Sequence, residues 1–134
     1  MGSLTFYFDR NFGRRFPEAL HRAAPPFAVE FHHSPRSRFA HNTTDDKWLS
    51  VVGQRGWIVF SHDQKFHQIL PEVSAVKQHG IGCIYLWGAE TKTWDKLCFF
   101  VAVSATIMRL SENTKRPFIY RVTKTRRFEA VTLT

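Results

Sequence analysis

The sequence predicts an α/β fold: a three-layer α/β/α sandwich around a mainly parallel central sheet of about five strands. Three observations predict it. Trp57–Phe60 ("WIVF") and Ile81–Trp87 ("IGCIYLW") are continuous apolar runs, the pattern of strands covered on both faces, as in a parallel sheet. Strand-like and helix-like segments alternate nearly throughout the chain, which is the order that parallel crossovers require. Three of the four helix-like segments also end close to a Gly or Pro stop signal: Pro25-Pro26, Gly53 or Gly56, and Gly80.

The elements follow in order. Leu4–Phe8 ("LTFYF") is a short β-prone run. Arg14–Ala23 reads as a helix, because Pro17 is tolerated only in a first turn. Phe27–His32 ("FAVEFH") is a second strand, and polar Ser34–Thr43 reads as a loop. Asp45–Gln54 is a helix whose apolar face holds Trp48, Leu49 and Val52. Strand Trp57–Phe60 follows, then a helix from about Pro71 to His79, then strand Ile81–Trp87. Trp94–Leu110 is the longest apolar-periodic segment and reads as helix. Pro117–Val122 ("PFIYRV") closes the series as a strand, and a basic tail over 124–134 trails off. The reading is one domain over 1–134 with a core of about 4–123.

The chain has 134 residues, 43% of them apolar and 15% aromatic, with 13 Phe. That suffices to bury one core, so global disorder is excluded. No apolar run reaches the roughly 18 residues of a membrane span, and no secretory signal is visible. A cytoplasmic protein with no membrane partner is expected. Cys83 and Cys98 lack the close spacing of a zinc knuckle and are read as reduced core residues. The set Trp48, Trp57, Trp87 and Trp94 is likewise read as core. The net charge of +8, from 19 Lys+Arg against 11 Asp+Glu, points to a polyanionic partner such as RNA.

Three aspartates carry the chemistry. Asp9 follows the first strand, Asp63 follows the third, and Asp45 opens the helix leading into the third. In parallel sheets, ligands bind beyond the carboxyl ends of the strands, where strand order reverses. Converging carboxylates repel unless a cation or protons neutralise them. Oxygen-only donors suit a hard ion, Mg²⁺ or Mn²⁺, the chemistry of metal-assisted phosphodiester cleavage. Arg10, Arg14, Arg15 and Lys65 lie close in sequence to these aspartates and would bring in the backbone of an RNA or DNA substrate. The same three positions are also where Asp is favoured as a helix N-cap, and spacing alone leaves both readings open.

Other constellations are weaker. Ser61-His62-Asp63 is no hydrolase triad, because adjacent residues on an extended chain point in alternating directions. The histidines, among them His32, His33, His41, His62 and His67, form no HExxH-like pair, although His62 or His67 could touch a phosphate. A phospho-acceptor receiver needs a second acid beside Asp9, where Arg10 and Asn11 stand instead.

The stretches "FYFDRNFGRRFPEAL", "DDKWLSVVGQRGWIVFSHD" and "RPFIYRVTK" resemble the PIN-like domain of a compact VapC-type branch of bacterial toxins. The resemblance spans roughly residues 5–124, and the middle motif is its most specific part. It implies a metal-dependent endoribonuclease, the toxin of a toxin–antitoxin pair, with RNA as substrate, a cognate antitoxin as partner and a homodimer left open. It further implies that Asp9, Asp45 and Asp63 bind Mg²⁺ or Mn²⁺, with Asn11, Ser61 and Asp46 in support. Asp45 stands three residues before Trp48, as the motif has it, with Asp46 a shifted alternative; Ser61 stands where the family often has Thr. Larger PIN domains carry an additional Glu after strand two. Here Glu30 lies inside the strand, while Glu18 and Glu72 lie near helices, which implies a three-carboxylate site that holds one metal firmly. A non-catalytic PIN-like binding module is the alternative.

Overall fold

The computed structural model describes residues 4–32 and 44–133, without the side chains of Asp45 and Asp46. The loop expected over Ser34–Thr43 lies outside the described residues, as do His33 and His41. The strands are β1 (Thr5–Phe8), β2 (Ala28–Phe31), β3 (Ile58–Ser61), β4 (Gly82–Leu86), β5 (Phe118–Val122) and β6 (Phe128–Ala130). The helices are α1 (Arg15–Arg22), α2 (Asp45–Gln54), α3 (Leu70–His79) and α4 (Thr93–Asn113), and one 3-10 turn spans Arg10–Phe12. None of the described helices is long and apolar enough to cross a membrane.

The strands form one sheet in the order β2-β1-β3-β4-β5-β6. All neighbours pair parallel except β5 and β6. The three-layer α/β architecture is therefore as predicted, with a sixth strand in addition. The expected basic tail is instead partly sheet: Thr123 N–H donates to Arg127 O at 2.9 Å, turning the chain back so that Phe128 pairs with Val122.

The period-two alternation of strands sorts the core into two halves. Phe6, Phe8, Ile58, Phe60, Ile84 and Leu86 face α1 and α4, where they meet Phe16, Leu20, Phe100, Val103 and Ile107. Tyr7, Val59, Cys83, Tyr85 and Ile119 face α2 and α3, where they meet Trp48, Leu49, Val52 and Val76. The continuous apolar runs read from the sequence are thus strands whose two sets of side chains are both buried.

Two expectations about single residues fail. Cys98 is exposed, because it lies off the buried stripe of α4 formed by Phe99, Phe100, Val103 and Ile107. Of the tryptophans only Trp48 is fully buried, whereas Trp87 is 38% and Trp94 is 73% exposed. Pro17 does sit in the first turn of α1, and α3 ends at Gly80 in the left-handed conformation (φ 60°) that glycine adopts without strain.

At Gly82 the issue is space. A Cβ there would lie 2.5 Å from Cζ of Phe118 and 3.0 Å from Cδ1 of Ile58. Gly82→Ala is expected to destabilise the protein by about 1–3 kcal/mol through overpacking, read as a lower urea midpoint at unchanged slope.

Candidate active site

Strand order reverses between β1 and β3: β1 continues to β2 on one side and pairs with β3 on the other. Such a reversal opens a crevice at the carboxyl ends of the two strands. Asp9 leaves β1 there, with its N–H donating to Phe60 O of β3 at 3.1 Å. Ser61 ends β3 on the other lip.

Asp9 is 2% exposed. Its Oδ1 accepts from Asn11 N–H at 3.2 Å, capping the 3-10 turn. The Ser61 hydroxyl also bonds to it, and Lys65 Nζ stands 3.3 Å from Oδ2. Burial pushes the Asp9 carboxyl up from 3.8 to about 6, against the opposing pull of Lys65 and the hydrogen bonds. Asp9 thus caps the 3-10 turn, as one reading of it expects, and is at the same time a buried acid.

Ser61 is the hub of the crevice. Its Oγ accepts from Asp63 N–H at 3.0 Å and from Asn11 Nδ2 at 3.4 Å, and Asn11 Oδ1 in turn accepts from His62 N–H at 3.3 Å. One hydroxyl therefore ties the turn after β1 to the backbone of the turn after β3 at Asp63. Asp63 itself is exposed and lines an open cleft together with Lys65.

The capping reading of Asp63 fails, because α3 begins only at Leu70. It fails for Asp45 as well, since Thr44 holds the N-cap position and Asp45 is the first helical residue. Whether Asp45 or Asp46 reaches the crevice rests on side chains outside the described set. Among the described residues, no three His, Cys, Asp or Glu side chains group closely enough to hold a metal ion.

The remaining candidates sort by exposure. Arg10, Arg14 and Arg15 are exposed, and Arg14 pairs with Glu18 at 3.4 Å on the surface of α1. Lys65 differs from the expectation: its side chain is only 17% exposed and lies against Asp9, so it serves the carboxylate before any RNA. Glu30 is buried in β2, in register with Tyr7. His62 carries no charge to offer a phosphate. Burial lowers it from 6.5 to about 4, its Nδ1 donates to Leu86 O at 2.9 Å, and its ring stacks on Phe12 at 3.9 Å. His67 Nδ1 is engaged by the Tyr85 hydroxyl at 2.9 Å.

Sequence reasoning missed the Lys65–Asp9 pair and the packing of His62 on Phe12. Neither leaves a local signal, because each contact joins segments about fifty residues apart.

By chemistry the described donors are of the type a hard divalent ion takes, although among the described residues they form no group of three. The carboxylates of Asp9 and Asp63 and the hydroxyl of Ser61 are all oxygen ligands. Asp9 in addition is a deeply buried carboxyl, whose pKa burial raises to about 6 in spite of Lys65 beside it.

A model of the PIN-like domain family matches residues 4–88. That span holds β1 through β4 and both lips of the crevice. No curated protein and no solved structure matches the chain.

Proposed function

The chain belongs to the PIN-like domain family, whose fold is of nuclease type, and on that premise we propose that it is a metal-dependent endoribonuclease. The observation that carries the proposal is the buried Asp9 carboxyl at the β1–β3 crevice, joined through Ser61 Oγ to the Asp63 backbone. Asp9 and Asp63 would hold Mg²⁺ or Mn²⁺, with Asp45 or Asp46 as the third carboxylate. The bound ion would supply charge neutralisation at the scissile phosphate and a water nucleophile active at neutral pH.

The chain's own residues do the rest. Ser61 fixes the spacing of the two aspartate-bearing turns. Asn11 holds the Asp9 Oδ1 and the His62 N–H at once, so the loop after β3 cannot swing away from β1. Arg10, Arg14 and Arg15 form the cationic approach for the RNA backbone, consistent with the net charge of +8. A toxin role, with an antitoxin covering this edge, extends the same reading.

One observation favours a second reading. Lys65 already stands 3.3 Å from Asp9, and a lysine that permanently neutralised Asp9 would leave a non-catalytic RNA-binding module. Mn²⁺ titration by calorimetry separates the two. Saturable binding, weakened at least about tenfold in Asp63→Asn together with loss of RNA cleavage, is the expected result. Absence of saturable Mn²⁺ binding to the wild-type chain would discard the nuclease and leave the module.

A further inference from the structure

A cavity of about 460 Å³ opens beyond the carboxyl ends of β4 and β5, lined by Trp87, the Gly88–Thr91 turn, Arg121 and Lys124. Its size falls in the range of about 300–1,000 Å³ usual for sites that enclose a small-molecule group. Neither Asp9, Asp63 nor Lys65 lines it, yet it shares His62 and Gln64 with the open cleft that holds Asp63 and Lys65. The two recesses are therefore neighbours along the edge of the sheet, and a chain crossing one runs into the other.

The chemistry of its walls is specific. Trp87 is 38% exposed and lines the cavity, so part of its ring is open to a ligand there. One side of its ring is braced edge-on by Phe99, with centroids 5.4 Å apart. Lys124 Nζ lies over the ring, 5.7 Å from its centroid, and a base stacking on that face would shift this flexible ammonium outward to the adjoining phosphate. Arg121 is fixed rather than loose: Nη1 donates to Gln64 Oε1 at 2.8 Å, and Nε faces Glu129 at 3.4 Å. The turn is pinned by Thr91 Oγ1 donating to Gly88 O at 2.7 Å. Glu90 also lines the cavity and offers an acceptor to an amino or imino N–H.

An aromatic platform beside lysine and arginine is the recurring means of holding single-stranded nucleic acid, because every base has a π-face and every nucleotide a phosphate. We propose that this cavity is a base-binding subsite for single-stranded RNA, in which one unstacked base lies on Trp87 and Lys124 holds an adjoining phosphate. The inference rests on the nuclease reading only for where the scissile phosphate lies. It assigns the substrate an unpaired strand that threads from the aspartate cleft across Gln64 to Trp87. It also gives the β5–β6 hairpin a task, since the turn between those strands carries Lys124.

The test is fluorescence anisotropy of a short labelled single-stranded RNA with the whole chain in EDTA, so that binding is read without metal or cleavage. Trp87→Ala is expected to weaken binding roughly 5- to 150-fold at unchanged salt dependence, and Trp87→Phe to recover most of it. Lys124→Ala should weaken binding and reduce the salt slope by about one. Thermal melts of each variant check that the fold persists. Equal affinity of folded Trp87→Ala and wild type would overturn the subsite, as would wild-type binding that is no tighter to a single strand than to a duplex. A mononucleotide bound as tightly as the oligonucleotide would replace RNA with a free nucleotide. Trp87-dependent binding without cleavage in Mn²⁺ would sink the nuclease reading alone, and cleavage indifferent to Trp87 would sink the subsite alone.

Discussion

Asp9→Asn is expected to remove RNA cleavage, by roughly 10³-fold or more, and at the same time to make the metal-free protein more stable at neutral pH. The first effect follows from losing a carboxylate that holds the ion, since such an ion contributes several kcal/mol to the charged transition state. The second follows from burial. The folded-state pKa of Asp9 is raised from 3.8 to about 6, so folding favours the protonated acid. The stabilising contribution of that acid is complete below about pH 4 and is lost as pH rises through about 6. The gap between the two values corresponds to about 3 kcal/mol held against the ionised form at pH 7.5. Asparagine keeps the Oδ1 acceptor for Asn11 N–H and cannot ionise, so it escapes that penalty. Lys65, with a side chain only 17% exposed, loses its ion pair with Asp9 in the variant, which offsets part of the gain. The net expectation is about 1–2 kcal/mol of added stability in EDTA at pH 7.5, shrinking to nothing near pH 4, measured by urea unfolding. Mn²⁺ should raise the melting temperature of the wild type and leave the variant unmoved. An Asn variant less stable than wild type at pH 7.5 in EDTA would show that Lys65, rather than a missing ion, completes the site.

What could be read from the sequence divides along physical lines. Buried parallel strands leave a local mark, since both faces of Val59 and its neighbours must be apolar; the sheet and its flanking helices were accordingly foreseeable. The position of Asp9 at the end of β1 was foreseeable as well, because the β-prone run stops at Phe8. Phe128–Ala130 was hidden, because a short edge strand carries charged residues on its open side: Glu129 lies between two apolar neighbours and faces Arg121. Cys98 was misplaced because helical burial depends on the stripe, and its neighbours Phe99 and Phe100 take the inward positions. The capping alternative for Asp63 fell away because an intervening stretch of turns separates β3 from α3. Lys65 was the hardest, since an ion pair between residues 9 and 65 is a product of the whole fold. No local periodicity encodes it.

Phe100→Ala should cost about 3–5 kcal/mol, the largest loss of stability expected from a single truncation in this chain. Phe100 is fully buried, and its ring is the centre of an aromatic cluster. Centroid distances are 5.7 Å to each of Phe8, Phe16 and Phe60, 5.9 Å to Phe27 and 6.4 Å to Phe6. Those partners come from β1, α1, β3 and the lead-in to β2, all held by backbone hydrogen bonds or helix packing. None can move inward far enough to fill the gap, so the cavity term adds to the lost burial. Phe8 and Phe60 immediately precede Asp9 and Ser61 in the chain, which places the void directly beneath the crevice. Cleavage should therefore fall along with stability, even below the melting transition, because the two lips lose the packing that fixes their separation. Val101→Ala, one residue along α4 but 62% exposed, should change stability by less than about 0.5 kcal/mol. Urea unfolding of the pair decides the matter: similar losses for both would mean that α4 does not present Phe100 to the sheet, and the packing that positions Asp9 would have to be sought elsewhere.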